Sequence, residues 1–208
     1  MPNEKISKGI LNSEAFAFCA LSDFFKADLI IESGICNGGS TEIWCKYFTK
    51  RTMMNIPPVI AIDIDLLPKA INRLVSYNNI QLIKGDSTQI IPNIIKEITN
   101  ANISVFIDGP KNQAGVKLAQ ICLEFPQVKL VAVHDMCRIF YNTQYCIGRQ
   151  LIDKWSGVHK FYTDNSDFVF EYKKLDGSFA DTPCDKYIYG SCTEKQGYGP
   201  TLGLVWKG

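Results

Sequence analysis

Three short runs of this chain, Val59–Ile64, Ser104–Ile107 and Leu130–Val133, are continuously apolar up to their ends. A strand with one face in water alternates apolar and polar residues. These runs do not alternate, so they mark parallel strands covered on both faces by helices, an α/β architecture. Segments of strand length, Leu29–Glu32, Val59–Ile64, Ile80–Lys84, Ile103–Ile107 and Val128–Val133, alternate with longer helical patterns. The spacing predicts a first helix capped by Asn12 or Ser13 and running to Lys26, with Phe16, Cys19, Ala20 and Phe24 on one face. Further helices are expected over 40–48, 68–77, 90–100, 113–125 and 144–155, and Pro57-Pro58 closes a polar connection that starts at Thr49. After Trp155 the rhythm changes. Phe168–Tyr172 and Leu202–Trp206 read as strands on either side of a Gly/Asp/Cys/Tyr-rich stretch, Asp176–Pro200. At 208 residues the chain suits one domain, with residues 1–28 as an N-terminal helical segment and 176–200 as an inserted loop.

The most informative local feature is the turn Glu32-Ser33-Gly34-Ile35-Cys36-Asn37-Gly38-Gly39-Ser40-Thr41, between the first strand and the second helix. Its glycines allow positive φ and close backbone approach, and the helix behind it offers unpaired N–H groups to an electron-rich ligand. Strand, glycine turn and helix in that order form a nucleotide-binding corner. A dinucleotide fingerprint, G-x-G-x-x-G, is broken because Cys36 stands at its second glycine. A P-loop is excluded because no Gly-Lys-Ser/Thr follows.

In open α/β sheets, ligands sit outside the C-terminal ends of the strands. Every such end here carries a polar group: Glu32, then Asp63 and Asp65, then Asp86 followed by Ser87, then Asp108, then His134-Asp135. Acids crowded on one rim suit cationic or hydroxyl-rich partners. His134, whose ordinary pKa is about 6.5, is a candidate general base.

The string Glu-Ser-Gly-x-x-x-Gly-Gly-Ser-Thr over residues 32–41 resembles motif I of the class I S-adenosylmethionine-dependent methyltransferases, whose consensus is E/D-x-G-x-G-x-G. It is most similar to a subgroup that includes sugar and natural-product O-methyltransferases. That resemblance implies a Rossmann-like, seven-stranded sheet, mostly parallel, whose last strand inserts antiparallel. It implies cofactor contacts from Glu32, Gly34, Gly38, Gly39 and Ser40. Asp63, with Asp65 as the alternative, would hold the ribose hydroxyls, and Asp86 and Ser87 would meet the adenine. Asp108-Gly109-Pro110-Lys111 and His134-Asp135 resemble the fourth and fifth strand ends of catechol-type O-methyltransferases, where an Asp, a Lys three residues later and an Asp-Asn pair occur. By that resemblance Asp108, His134 and Asp135 would ligate a divalent cation, Mg²⁺ or Mn²⁺. Asp108 would also face the cofactor, and Lys111 the acceptor hydroxyl, with Lys111 or His134 removing its proton.

The expected reaction is methyl transfer to a sugar or small-molecule hydroxyl. Two alternatives remain: a non-catalytic cofactor-binding domain, which would need neither Asp108 nor Lys111, and an NAD(P)-dependent oxidoreductase, which would use Asp63 equally well. Twenty-two basic against 21 acidic residues leave no electrostatic footprint for nucleic acid. No apolar stretch approaches the ~20 residues of a membrane span. Eight cysteines without a C-x-x-C pair read as reduced thiols of a cytoplasmic protein, with Cys184 and Cys192 the only pair in a loop-rich setting. The aromatics Phe16, Phe24, Phe25, Tyr141, Tyr145, Tyr187, Tyr189 and Tyr198 are candidates for an acceptor pocket, and the 176–200 loop for a lid or the arm of a homodimer.

Overall fold

The computed structural model describes residues 10–51, 58–136, 147–172, 174–176 and 201–208. Seven strands form one sheet in the order β3-β2-β1-β4-β5-β7-β6. In chain order they are β1 (Leu29–Ser33), β2 (Val59–Asp63), β3 (Ile80–Lys84), β4 (Ile103–Ile107), β5 (Val128–Val133), β6 (Val158–Tyr162) and β7 (Gly203–Lys207). The first five pair in parallel, and β7 inserts antiparallel between β5 and β6. The helices are α1 (Asn12–Phe24), α2 (Gly39–Arg51), α3 (Pro68–Leu74), α4 (Ser87–Glu97), α5 (Asn112–Glu124), α6 (Ile147–Asp153) and α7 (Ser166–Tyr172). The expected α/β sheet, with its antiparallel last strand, is present.

Side-chain parity along the strands sorts the core into two layers. Ile31, Val105, Ile107, Val131 and Val133 pack with Ile91 and Ile95 of α4 and Val116, Leu118 and Cys122 of α5. Ile30, Phe106, Leu130 and Ala132 pack on the other side with Phe18 of α1 and Trp44 of α2. Phe18, Trp44 and Phe106 meet edge-on or tilted, with ring centroids 4.7–5.4 Å apart. Each is fully buried, worth roughly 1.5–3 kcal/mol of transfer free energy for a side chain of this kind. The same parity puts Glu32, Asp108 and His134 on the α1/α2 side of the sheet, which decides who their neighbours are.

The two ends of the chain differ from the expectation. Leu11, not Asn12 or Ser13, caps α1, and its N–H donates to the Glu14 carboxyl at 2.8 Å. Ser13 instead donates both its N–H and its hydroxyl to Asp176, each at 2.8 Å, and Asn12 bonds the Leu175 carbonyl. The buried face of α1 is Ala15, Phe18, Cys19 and Ser22, while Phe16 and Phe24 are exposed. Apolar periodicity misplaced that face because Phe16 packs outward, stacked on Tyr172 at 4.8 Å. Phe168–Tyr172 is helical, not a strand. The Asn165 side chain accepts from the N–H groups of Asp167 and Phe168 and caps α7, overriding the β-propensity of Phe-Val-Phe-Glu-Tyr. Strand β6, Val158-His-Lys-Phe-Tyr, was not expected. It lies at the sheet edge, half-exposed, so it lacks an apolar run. Helix α2 continues through Arg51, into the segment read as connection. The start of the 144–155 helix, most of the 176–200 loop, Tyr141, Tyr145, Tyr187, Tyr189, Tyr198, Cys137, Cys146, Cys184 and Cys192 lie outside the described residues. Cys19, Cys45 and Cys122 are buried and Cys36 exposed, all four outside any disulfide. Among the described residues no helix is long and apolar enough to cross a membrane.

Candidate active site

The glycine turn leaves β1 and folds directly against the tip of β4. Gly34 has φ +90°, and a Cβ on it would lie 2.6 Å from the Gly109 nitrogen. Ser33 seals the same junction: its carbonyl accepts from the N–H groups of Asp108 and Gly109, and its hydroxyl bonds the Gly109 carbonyl. Gly38 has φ +75° and packs over Leu74 of α3. Between them Cys36 adopts φ +49°, the left-handed conformation that a consensus glycine would supply at no steric penalty. The turn therefore holds a left-handed residue between two left-handed glycines.

Asp63 sits at the end of β2 and holds this turn from below. Its Oδ2 accepts from the N–H groups of Ile35 at 2.7 Å and Cys36 at 3.0 Å, and its Oδ1 accepts from Asp65 at 3.2 Å. Asp65 is exposed and paired with Lys84 at 2.8 Å, away from the turn. Of the two ribose candidates, only Asp63 adjoins the glycine loop. Asp86 is the N-cap of α4, accepting from the Thr88 N–H and hydroxyl at 2.9 and 2.7 Å; those bonds hold its carboxyl below the usual range. Ser87, the first residue of that helix, is buried.

Glu32 does not reach the rim. It is fully buried on the α1/α2 side, where Ser40 donates to one carboxyl oxygen. Burial raises its pKa to about 8, against the opposing bond from Ser40 and with a further push from the Asp108 charge. The Thr41 hydroxyl and the Trp44 indole also bear on this carboxyl and, like Ser40, oppose the rise. Ser40 is turned inward by the same bond and supports the turn from behind. Gly39 opens α2.

The tips of β4 and β5 carry a denser constellation. Lys111, at the N-cap of α5, bonds both Asp108 and Asp135. His134 Nδ1 lies 2.8 Å from Asp108 Oδ1 and 3.4 Å from Asp135 Oδ1. Its Nε2 faces Glu14 Oε2 of α1 at 3.4 Å, a residue that is 1% exposed and 120 positions away. Burial alone would raise the Asp108 pKa. The neighbouring His134 and Lys111 cations outweigh it and hold the group at about 2. Burial would depress the His134 and Lys111 pKa values, but the surrounding carboxylates push both up, His134 well above its usual value. The carboxylate cluster thus favours the protonated form of both groups. Asp135 reaches its position through a left-handed φ of +65°.

The donor set suits a divalent ion in type and spacing. One ligand atom each from Asp108, His134 and Asp135 lie within 4.8 Å of one another, and Glu14 stands behind His134 as the carboxylate that commonly supports a ligating imidazole. Lys111 shares the two carboxylates with such an ion, so ammonium and metal are alternatives at this position. Glu14 was not expected from the sequence, where an acid in a first helical turn reads as favouring the helix dipole.

A glycine turn gripped by the acid that ends β2 thus stands beside an acid–lysine pair at the tip of β4. Residues 12–109 of the chain match the family model described as rhamnosyl O-methyltransferase/CmcI. Similar solved structures include the O-methyltransferase TomG from Streptomyces achromogenes, 12% identical over 100% of this chain and 83% of that one, with a TM-score of 0.62. Another is an O-methyltransferase from Bacillus cereus, 13% identical over 99% of this chain and 84% of that one, with a TM-score of 0.58. No curated protein sequence matches the chain.

Proposed function

We propose that this chain transfers the methyl group of S-adenosylmethionine to a hydroxyl of a sugar or natural product. The observation that carries the reading is the junction of Gly34 with the Asp108-Gly109 peptide, which sets a cofactor turn directly beside a charged acceptor rim. The cofactor's methionine end would lie along Gly34–Gly39, and its ribose against the Asp63 carboxylate. Asp86 would meet the adenine, with Ser87 beside it. The TomG structure is a complex with S-adenosylmethionine and the Bacillus cereus one a complex with S-adenosylhomocysteine, which supports that choice of cofactor.

Methyl transfer from a sulfonium is an in-line displacement. The acceptor oxygen forms a bond to the methyl carbon as the carbon–sulfur bond breaks, and a neutral thioether leaves. Alignment of donor and acceptor is the main contribution open to the protein, worth up to roughly 7–11 kcal/mol in well-oriented systems. The hydroxyl must also lose its proton. In this reading the Lys111 ammonium would stabilise developing negative charge on the oxygen, and an Asp135 oxygen would receive the proton. A divalent ion held by Asp108, Asp135 and His134 would supply the same lowering of the hydroxyl pKa.

The first test compares S-adenosylhomocysteine with NAD by thermal shift. A ligand that binds only the folded protein raises its melting temperature, so a rise with the first and none with the second is expected. A rise with NAD alone would replace this reading with the oxidoreductase. Retained cofactor binding without turnover on any hydroxylated acceptor would favour the non-catalytic domain.

A further inference from the structure

The buried acid on α1 closes the first turn of its helix and stands behind His134, and the capping alone does not account for its burial. Glu14 is 1% exposed, and one of its oxygens, Oε1, has no hydrogen-bond partner. A carboxyl group is expensive to bury, and helix capping does not require it: many helices satisfy their first N–H groups with water or an exposed side chain. Its second oxygen accepts from Leu11 and faces His134 Nε2. The catechol-type pattern places an Asp at the position that His134 occupies, and here an acid arrives on the other side of that histidine from a different element.

We propose that Glu14 is a positioning residue of the acceptor site: it holds the His134 imidazole with a proton on Nε2 and its Nδ1 edge turned to Asp108 and Asp135. This rests on the methyltransferase reading for its consequence but not for its geometry. An imidazole has two nitrogens pointing in divergent directions, so fixing one fixes the other. With Nε2–H directed at Glu14, only Nδ1 reaches the rim, where it lies 2.8 Å from Asp108 Oδ1. The contact to Glu14 is long at 3.4 Å, so its effect is orientation more than binding strength. Phe106, with its ring centroid 6.2 Å from that of the imidazole, is the apolar wall against which the ring is held.

The anchoring of α1 gives the arrangement its stiffness. Ser13 and Asn12 tie the start of the helix to Asp176 and Leu175, and Glu14 is the next residue in line. The N-terminal helix therefore belongs to the active site, not merely to the cover of the sheet. The same placement serves either occupant of the rim. With Lys111 between the carboxylates, Nδ1–H donates to Asp108; with a divalent ion there, Nδ1 presents its lone pair and Glu14 still holds Nε2–H.

The chain has only two histidines, His134 and His159, so ring signals of ¹⁵N-histidine-labelled protein assign with one His159→Gln control. In the ligand-free full chain, His134 Nε2 is expected to carry a slowly exchanging proton. Glu14→Gln, which keeps an acceptor oxygen, should retain that proton and shift its resonance. Glu14→Ala should abolish slow exchange, and where that variant fails to fold the Gln variant still decides. An unprotonated Nε2 in the wild type, or His134 ring signals unchanged in Glu14→Gln, overturns the assignment. Binding of S-adenosylhomocysteine, measured separately by thermal shift, should stay within twofold in Glu14→Gln. Its loss in the wild type would instead count against the proposed cofactor.

Discussion

The two halves of the rim are built by opposite means. The β1–β2 half is made of backbone: a turn with left-handed residues, tied by N–H bonds to Asp63, with its side chains facing inward or into solvent. The β4–β5 half is made of charge: Glu14, Asp108, Asp135, Lys111 and His134 converge from α1, α5 and two strand tips. The first half depends on local conformation, so a substitution that alters φ disturbs it most. The second depends on partner identity, so removing one charge leaves another uncompensated. The family match ends at residue 109, so it contains the whole backbone-built half and of the charged half only Glu14 and Asp108.

The largest effect is expected where the halves touch. Gly34→Ala places a Cβ 2.6 Å from the Gly109 nitrogen and forces an L residue to φ +90°. Left-handed strain and overpacking each contribute about 1–3 kcal/mol, so a loss of roughly 3–5 kcal/mol is expected in urea unfolding. A loss below about 1 kcal/mol would mean that the junction is loose and the halves independent.

Next in size is a pH effect hidden beneath the backbone-built half. Glu32 has a folded pKa of about 8 against an unfolded value of 4.5. Below pH 4.5 both states hold the proton and nothing is lost. Between pH 4.5 and 8 the unfolded chain releases it while the folded one does not, so stability falls as pH rises through that window. Glu32→Gln should remove this slope and gain on the order of 5 kcal/mol above pH 8, with little change at pH 4. Parallel stability–pH curves for the two proteins would contradict the burial argument.

Asp108→Asn probes the charged half. It removes the negative charge shared by His134 Nδ1 and Lys111 while keeping one acceptor oxygen and the shape of the side chain. Turnover should fall on the order of 10²-fold, while affinity for S-adenosylhomocysteine changes severalfold at most. The same loss in affinity as in turnover would merge the two halves into one cofactor site. Added EDTA tells the two occupants apart: an unchanged wild-type rate assigns the rim to Lys111, a lost one to the ion.

This contrast also explains what was legible in the sequence. Apolar runs disclosed the parallel strands because burial on both faces leaves no alternation. The glycine turn was legible because its conformation depends on near neighbours, and Asp63 because it ends a strand that its own apolar run discloses. Asp108, Lys111, His134 and Asp135 could be named from their places at strand ends, but not their pairing, since three partners of one imidazole come from residues 14, 108 and 135. Glu14 was invisible for that reason. Glu32 was misplaced at the rim because β1 extends one residue further, to Ser33, and the pleat turns the acid inward. The edge strand β6 and the capped helix α7 escaped because neither carries a two-sided apolar signature.

The smallest expected effect bears on whether the backbone-built half tolerates its own departure from consensus. Cys36 holds φ +49° with its thiol exposed, at the place where the motif has glycine. An L residue there bears about 1–2 kcal/mol of left-handed strain. Glycine relieves that strain but loses roughly 0.4–1 kcal/mol through the greater freedom of its unfolded chain. Cys36→Gly should therefore change stability by less than about 1 kcal/mol, towards the stable side, and leave the Asp63 bonds to Ile35 and Cys36 backbone N–H groups intact. Cofactor affinity should be equal or better. If the variant is clearly destabilised, or binds S-adenosylhomocysteine more weakly, then the thiol itself contributes to the turn, and side-chain identity matters on both halves of the rim.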